Sequence, residues 1–205
     1  MPIVWNYWNN VISALQEIQL IKDEKEKEKI ASEFFKGFLN EYTRDTNFLI
    51  TRFLEIGTDV ELLGVTRCLM DSLKESIFCY VNGQYLSTIA SVGITAELFC
   101  VHIYKLFLEN QGLSRSFVKS RIEKFSEISQ REKIDTLFSV VGVDEHICQI
   151  LHKIRKKRNE NVHPHTDKDY KEDALDCLQD IIDILNIYSE IIKKQTELKN
   201  KEEKE

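Results

Sequence analysis

Apolar residues recur at steps of three and four along nearly the whole chain, and the every-second-residue alternation of a half-buried strand is missing. That period commits the chain to amphipathic helices. Only 2 prolines and 7 glycines interrupt 205 residues, too few breakers for an architecture of strands and turns. The expected fold class is therefore all-α.

The helices can be marked off by their start and stop signals. Trp5, Trp8, Ile12 and Leu15 share one face of a first helix, and the charged run from Asp23 to Lys29 forms a solvated link. Ile30, Phe34 and Phe38 continue a second helix, and Phe48 to Leu54 form a short third one that Gly57 can close as a left-handed cap. Thr58 and Glu61 have capping-box spacing, so a helix carrying Leu62, Leu69, Leu73, Ile77 and Tyr80 is expected to open there. Asn82-Gly83 breaks it. A central helix then runs from about Gln84 to Asn110, apolar almost all round and so the most buried, until Gly112 closes it.

Two shorter pieces follow, one capped by Ser114 and one by the Ser129/Glu132 capping box and ended by Gly142. Asp144 caps the next helix, which carries Ile147, Leu151 and Ile154, then the basic run Lys153 to Arg158. It should stop at His163, because Pro164 disfavours helical geometry in the residue before it. A long last helix places Ala174, Leu178, Ile181, Leu185 and Ile192 on one side. These elements predict a helical extension over 1–57, a four-helix bundle over 58–196 and a charged, fraying tail over 197–205.

Composition removes several classes of function. Net charge is −6, so nucleic acid can be held only by a local basic patch. The five cysteines are odd in number and form no CxxC pair, which argues for free thiols in a reducing cytosol rather than a disulfide frame or a zinc site. His163 and His165 with Cys148 or Cys177 lack ligand spacing, so no metal and no cofactor are expected. The amino terminus has no basic lead-in of the export type. The longest apolar stretch contains Glu97, His102 and Lys105, which speaks against a membrane span. No glycine-rich phosphate loop, paired catalytic carboxylates or serine nucleophile motif is found.

The chemistry-bearing segment is IRKKRNENVHP, residues 154 to 164. Ile147, Leu151, Ile154 and Arg158 are spaced four, three and four, so Arg158 continues the apolar stripe toward a core or an interface. A guanidinium there is costly unless paired or needed. Arg155, Asn159 and His163 make a second row at four-residue steps. A histidine at a helix C-terminus is favoured in its protonated form. Arginine, amide and imidazolium at one helix end suit a phosphodiester.

Arg158-Asn159, three further residues and His163 resemble the arginine-x4-6-histidine signature of the HEPN superfamily. The order of elements over roughly residues 60 to 195 is also similar, with the Val81-Asn82-Gly83-Gln84-Tyr85 junction leading into a long helix that contains Glu97. The resemblance implies a homodimer in which two motifs face each other across one cleft, and metal-independent RNA cleavage by attack of the ribose 2′-hydroxyl on the adjacent phosphorus. DNA lacks that hydroxyl and is spared. His163 would be general acid or base, Arg158 would stabilise the phosphorane-like transition state, and Asn159 would orient the histidine or a phosphate oxygen. Arg155, Lys156 and Lys157 would contact or steer the substrate, and Glu97 would support a motif arginine. Such proteins act as toxins or antiviral defence effectors, often beside an antitoxin or other partner protein. A cytoplasmic enzyme with RNA as substrate is the leading expectation.

Plainer readings stand beside it. Arg158 can belong to an ordinary ion pair, His163 can be a helix-ending surface histidine, and the basic run can be a solvated face. The chain can be a non-catalytic HEPN module that binds RNA, a nucleotide or a protein, or a helical scaffold. Trp5, Trp8, Phe34, Phe38 and Phe48 read as the core of the extension.

Overall fold

The computed structural model describes residues 46–57, 63–161 and 169–202, with positions 23, 25, 26, 29, 30 and 33 in isolation. The helices expected around Trp5 to Leu15 and Ile30 to Phe38 thus lie essentially outside the described residues. Two compact units are present, Met1–Phe48 and Leu49–Glu205. The described residues form seven α-helices, a single π-helical turn and no strand, so the protein is all-α. The helices are α1 (Thr46–Ile56), α2 (Arg67–Val81), α3 (Tyr85–Asn110), α4 (Arg115–Glu127), α5 (Gln130–Thr136), α6 (Glu145–Glu160) and α7 (Lys171–Glu202); the π-turn is Leu137–Val141.

α3 is the hub. It packs against α2, α4, α5, α6 and α7, and it buries Ile89, Val92, Ala96, Phe99 and Cys100 among Leu69 and Leu73 of α2, Leu151 and Ile154 of α6, and Leu178, Ile181 and Leu185 of α7. Each of the valine, leucine, isoleucine and phenylalanine side chains among them stabilises the fold by about 1.5–3 kcal/mol on leaving water. Among the described residues α3 alone is long and apolar enough to cross a membrane; half of its most apolar stretch is buried inside the protein. A seam of hydroxyls joins it to α2, with Ser72 and Thr95 at 2.8 Å and Ser76 donating to Ser91 at 2.9 Å. Those bonds satisfy polar atoms that the apolar surroundings leave without water.

The stop signals act as expected. Gly57, Gly83, Gly112 and Gly142 all have positive φ. After α2 the Gly83 N–H donates to the Tyr80 carbonyl and the Gln84 N–H to the Cys79 carbonyl, both at 2.8 Å, which satisfies two of the orphan carbonyls of the helix end. Ser129 accepts from the Glu132 N–H while Glu132 accepts from the Ser129 N–H, completing the capping box of α5. Asp144 caps α6 by accepting from the His146 N–H at 2.8 Å.

Three boundaries differ from expectation. First, the bundle unit begins at Leu49 rather than at 58. The end of α1 is tied into it: Arg52 donates to the Val81 carbonyl at 3.1 Å, and Glu55 accepts from Tyr80 at 2.8 Å and pairs with Lys171 at 2.7 Å. Second, Thr58 and Glu61 lie outside the described residues, and α2 opens at Arg67 after a non-helical stretch over residues 63–66. Tertiary bonds hold that stretch: Leu63 N–H donates to Ser189, and the Gly64 carbonyl lies 3.1 Å from His102 Nε2. Third, α6 stops at Glu160, before His163. Asn161 turns its amide back onto the Lys157 carbonyl at 2.7 Å and ends the helix there. The backbone of α7 stays helical to Glu202, past residue 196.

Candidate functional site

Arg158 extends the buried stripe of Ile147, Leu151 and Ile154, as the spacing predicts. Its stem lies flat on α3 at Gly93. A β-carbon on Gly93 would come within 2.5 Å of Arg158 Cδ and 3.3 Å of Cγ, so the missing side chain makes room for the arginine. A glycine inside a helix costs about 1 kcal/mol relative to alanine. Here it permits an approach that no other residue allows.

The guanidinium is held by a neutral group. Arg158 Nη1 donates to Gln130 Oε1 at 3.2 Å, and Gln130 Nε2 donates to the Gly93 carbonyl at 3.4 Å. Gln130 is buried. It is the first residue of α5, and the Ser129/Glu132 capping box fixes its backbone. Among the described residues no carboxylate lies within ion-pairing distance of Arg158. A half-buried positive charge therefore sits at the end of α6 with an amide for company.

Glu97 does not support that arginine. It pairs with Lys133 of α5, whose side chain is 1% exposed and which also donates to the Ser126 carbonyl at 2.8 Å. Register explains the choice. Gly93 and Glu97 are four apart on α3, and Gln130 and Lys133 are three apart on α5, so both pairs share facing ridges. The amide falls opposite Gly93 and the ammonium opposite Glu97, which spares Arg158 a counter-charge.

The basic run divides by helix face. Lys153 and Lys157 turn to α7: Lys153 meets Asp180 at 2.8 Å, and Lys157 meets Asp176 at 2.8 Å and Asp173 at 3.1 Å. Burial alone would lower the Lys157 pKa, but the hydrogen bonds it donates to Asp176 and Asp173 overcome it and hold the ammonium above the usual lysine value. The charge of Lys157, expected to steer substrate, is paired within the fold. Lys156 is 74% exposed, with Glu160 one turn away at 3.8 Å. Asn159 is exposed. Arg155 is half-buried, and its Nε is shielded from water without a hydrogen-bond partner.

Arg155, Arg158 and Asn159 thus share the end of α6, with Lys156 on its outer side. The expected row through Arg155, Asn159 and His163 ends at Asn159, and His163, Pro164 and His165 lie outside the described residues. Gln130, Gly93 and Lys133 escape a reading of the motif alone. An isolated glycine inside an apolar helix does signal close approach of another group, and Gly93 could have been noticed on that ground. His152 was also missed; its Nε2 lies 3.2 Å from Asp135 on α5.

The remaining reactive groups are quiet. Burial pushes the Cys100 and Cys177 thiols up to about 12, which keeps them protonated and poorly nucleophilic. Among the described residues no three His, Cys, Asp or Glu side chains are grouped to hold a metal ion. No family model, curated protein sequence or solved structure matches this chain.

Proposed function

We propose that this protein is a metal-independent endoribonuclease of the HEPN type. The observation that carries the reading is the Arg158 guanidinium, half-buried, oriented by a neutral amide and, among the described residues, without a carboxylate partner. A cation kept in that state is poised for an external anion, since burying it otherwise only costs stability. The phosphodiester of RNA supplies that anion. Arg158 stabilises charge building on the phosphorane-like transition state, and Arg155 and Lys156 bind flanking phosphates. Asn159 orients a phosphate oxygen or the histidine. His163 moves a proton to or from the attacking 2′-hydroxyl or the leaving 5′-oxygen. The products are a 2′,3′-cyclic phosphate and a 5′-hydroxyl.

Two copies forming one cleft belong to the proposal. Ile94, next to Gly93 on α3 and 52% exposed, is an apolar residue open to a second chain. A cytoplasmic toxin or antiviral effector, restrained by an antitoxin or another defence protein, is the cellular role that fits such an activity.

Cleavage of mixed RNA by the wild type, compared with Arg158→Ala and His163→Ala, tests the reading. The expected result is cutting in the presence of a chelator, cyclic phosphate ends, and loss of at least a hundredfold in each variant. Equal rates in wild type and variants would refute it. The second reading, a HEPN module that binds RNA, nucleotide or protein without cutting, is favoured by the net charge of −6 and by the neutralisation of Lys153 and Lys157 on α7. It predicts RNA binding with no cyclic phosphate product.

A further inference from the structure

We infer that Gln130 is the positioning residue of the site: it fixes the plane of the Arg158 guanidinium while leaving its charge unspent, and so sets the site's affinity for RNA phosphate. The inference rests on Arg158 contacting a phosphate, as proposed above.

The geometry assigns each end of the amide. Oε1 faces the Nη1 donor at 3.2 Å and Nε2 faces the Gly93 carbonyl at 3.4 Å. Turning the amide over would set donor against donor and acceptor against acceptor, so one orientation is selected. The side chain is buried and rooted in the capped first turn of α5, so its own freedom is already spent. Gly93 closes the socket from below, where the arginine stem lies within reach of the absent β-carbon.

An amide does here what a carboxylate cannot. A glutamate of the same length would reach the same nitrogen and form a stronger, charge-assisted bond. It would also cancel the positive field that an incoming phosphate needs. The neighbouring pair illustrates the alternative: Lys133, one turn along α5, faces Glu97 and its charge is consumed. The difference between Gln130 and a glutamate thus separates a charge held open for phosphate from structural anchoring, because the glutamate strengthens the second and removes the first.

The test uses the full chain and a short RNA whose riboses carry 2′-O-methyl groups, which binds but lacks the attacking hydroxyl. Gln130→Glu is expected to keep or raise the thermal midpoint while its affinity falls roughly tenfold, the equivalent of one charge-assisted hydrogen bond. The slope of log affinity against log salt should flatten by about 0.7, the value of one phosphate contact on a single strand. Gln130→Met, which fills the space without hydrogen bonds, should lose less affinity and keep the slope. In an Arg158→Ala background Gln130→Glu should change nothing further. Wild-type affinity and slope in Gln130→Glu overturn the inference and leave the nuclease reading untouched. Affinity lost only together with a lowered thermal midpoint assigns Gln130 to structure and also overturns it. Undiminished binding by Arg158→Ala overturns it by removing its premise. Binding that follows this pattern without any cleavage of unmodified RNA sustains the inference and refutes the nuclease.

Discussion

Gly93 and Arg158 touch across α3 and α6 at a distance that leaves no room for a single methyl group. The relationship carries more than packing. The glycine weakens the central helix, yet the arginine stem that fills its place brings a charge to the surface instead of a hydrocarbon. Helix propensity and the seating of Arg158 therefore pull in opposite directions at one contact.

That opposition predicts an unusual variant. Gly93→Ala gains about 1 kcal/mol of helix propensity and loses a similar amount to the clash with Arg158 Cδ, so stability measured by urea denaturation should stay within about 1 kcal/mol of the wild type. The arginine, however, must leave its socket and its bond to Gln130. Cleavage and affinity for 2′-O-methyl RNA are expected to fall roughly tenfold, the worth of one charged hydrogen bond. A variant with full activity would show that the seat of Arg158 is irrelevant to substrate.

Glu97 and Lys133 predict the reverse pattern. Glu97→Gln leaves a 1% exposed ammonium facing an amide and should cost roughly 2–3 kcal/mol, less than a fully enclosed pair because Glu97 keeps 35% of its side chain exposed. Lys133→Met should cost less than Glu97→Gln, since methionine suits the buried site and the glutamate left behind can turn to water. Chemical denaturation of both variants reads the difference. Residual cleavage at a temperature where Glu97→Gln is folded should match the wild type; a folded but inactive variant would return Glu97 to the active site.

Lys156 and Lys157 are adjacent but face opposite fates. Lys157→Ala removes the partner of Asp173 and Asp176 from a side chain only 17% exposed, and should destabilise by about 1–2 kcal/mol with RNA affinity unchanged. Lys156→Ala removes an exposed charge and should shift stability by less than about 0.5 kcal/mol. Its affinity should fall, with the salt slope flattened by about 0.7. Denaturation curves and RNA titrations on the two variants distinguish fold from surface, and the opposite assignment would place α6 the wrong way round against α7.

What the sequence made legible was local chemistry. Asn82-Gly83, Gly112, Ser114, Ser129 with Glu132, Gly142 and Asp144 each act through bonds within a few residues, Gly57 follows the end of α1 with positive φ, and each marks an element end where expected. Thr58 and Glu61 have the same spacing but lie outside the described residues; α2 opens at Arg67, after a stretch whose Gly64 carbonyl is engaged by His102 and Tyr188, 38 and 124 positions away. Asn161 ended α6 before the proline could, through a side-chain bond that many asparagines do not make. The stripe placed Arg158 toward the core, as found, but named no partner for it. No spacing within α6 reveals that Gln130 of α5 rather than Glu97 of α3 will stand against it; that follows from the register between helices far apart in the chain.

His102 gives the pH dependence its sign. Burial depresses its pKa below the usual histidine value despite the hydrogen bond to the Gly64 carbonyl. Its Nε2 also lies 3.1 Å from the Tyr188 hydroxyl, and the two rings pack edge to face. The unfolded chain therefore takes up a proton at a higher pH than the folded one does. Stability from this group is complete above the unfolded value of about 6.5 and is lost as the pH falls through the depressed folded value. Thermal midpoints should be level near neutrality and decline from about pH 6.5 toward pH 5, before most carboxylates begin to titrate. His102→Gln keeps a donor for Gly64 but cannot be protonated, so its midpoint should be nearly flat over the same range. A wild-type midpoint that rises on acidification would reverse the sign and place a charged imidazolium in the fold.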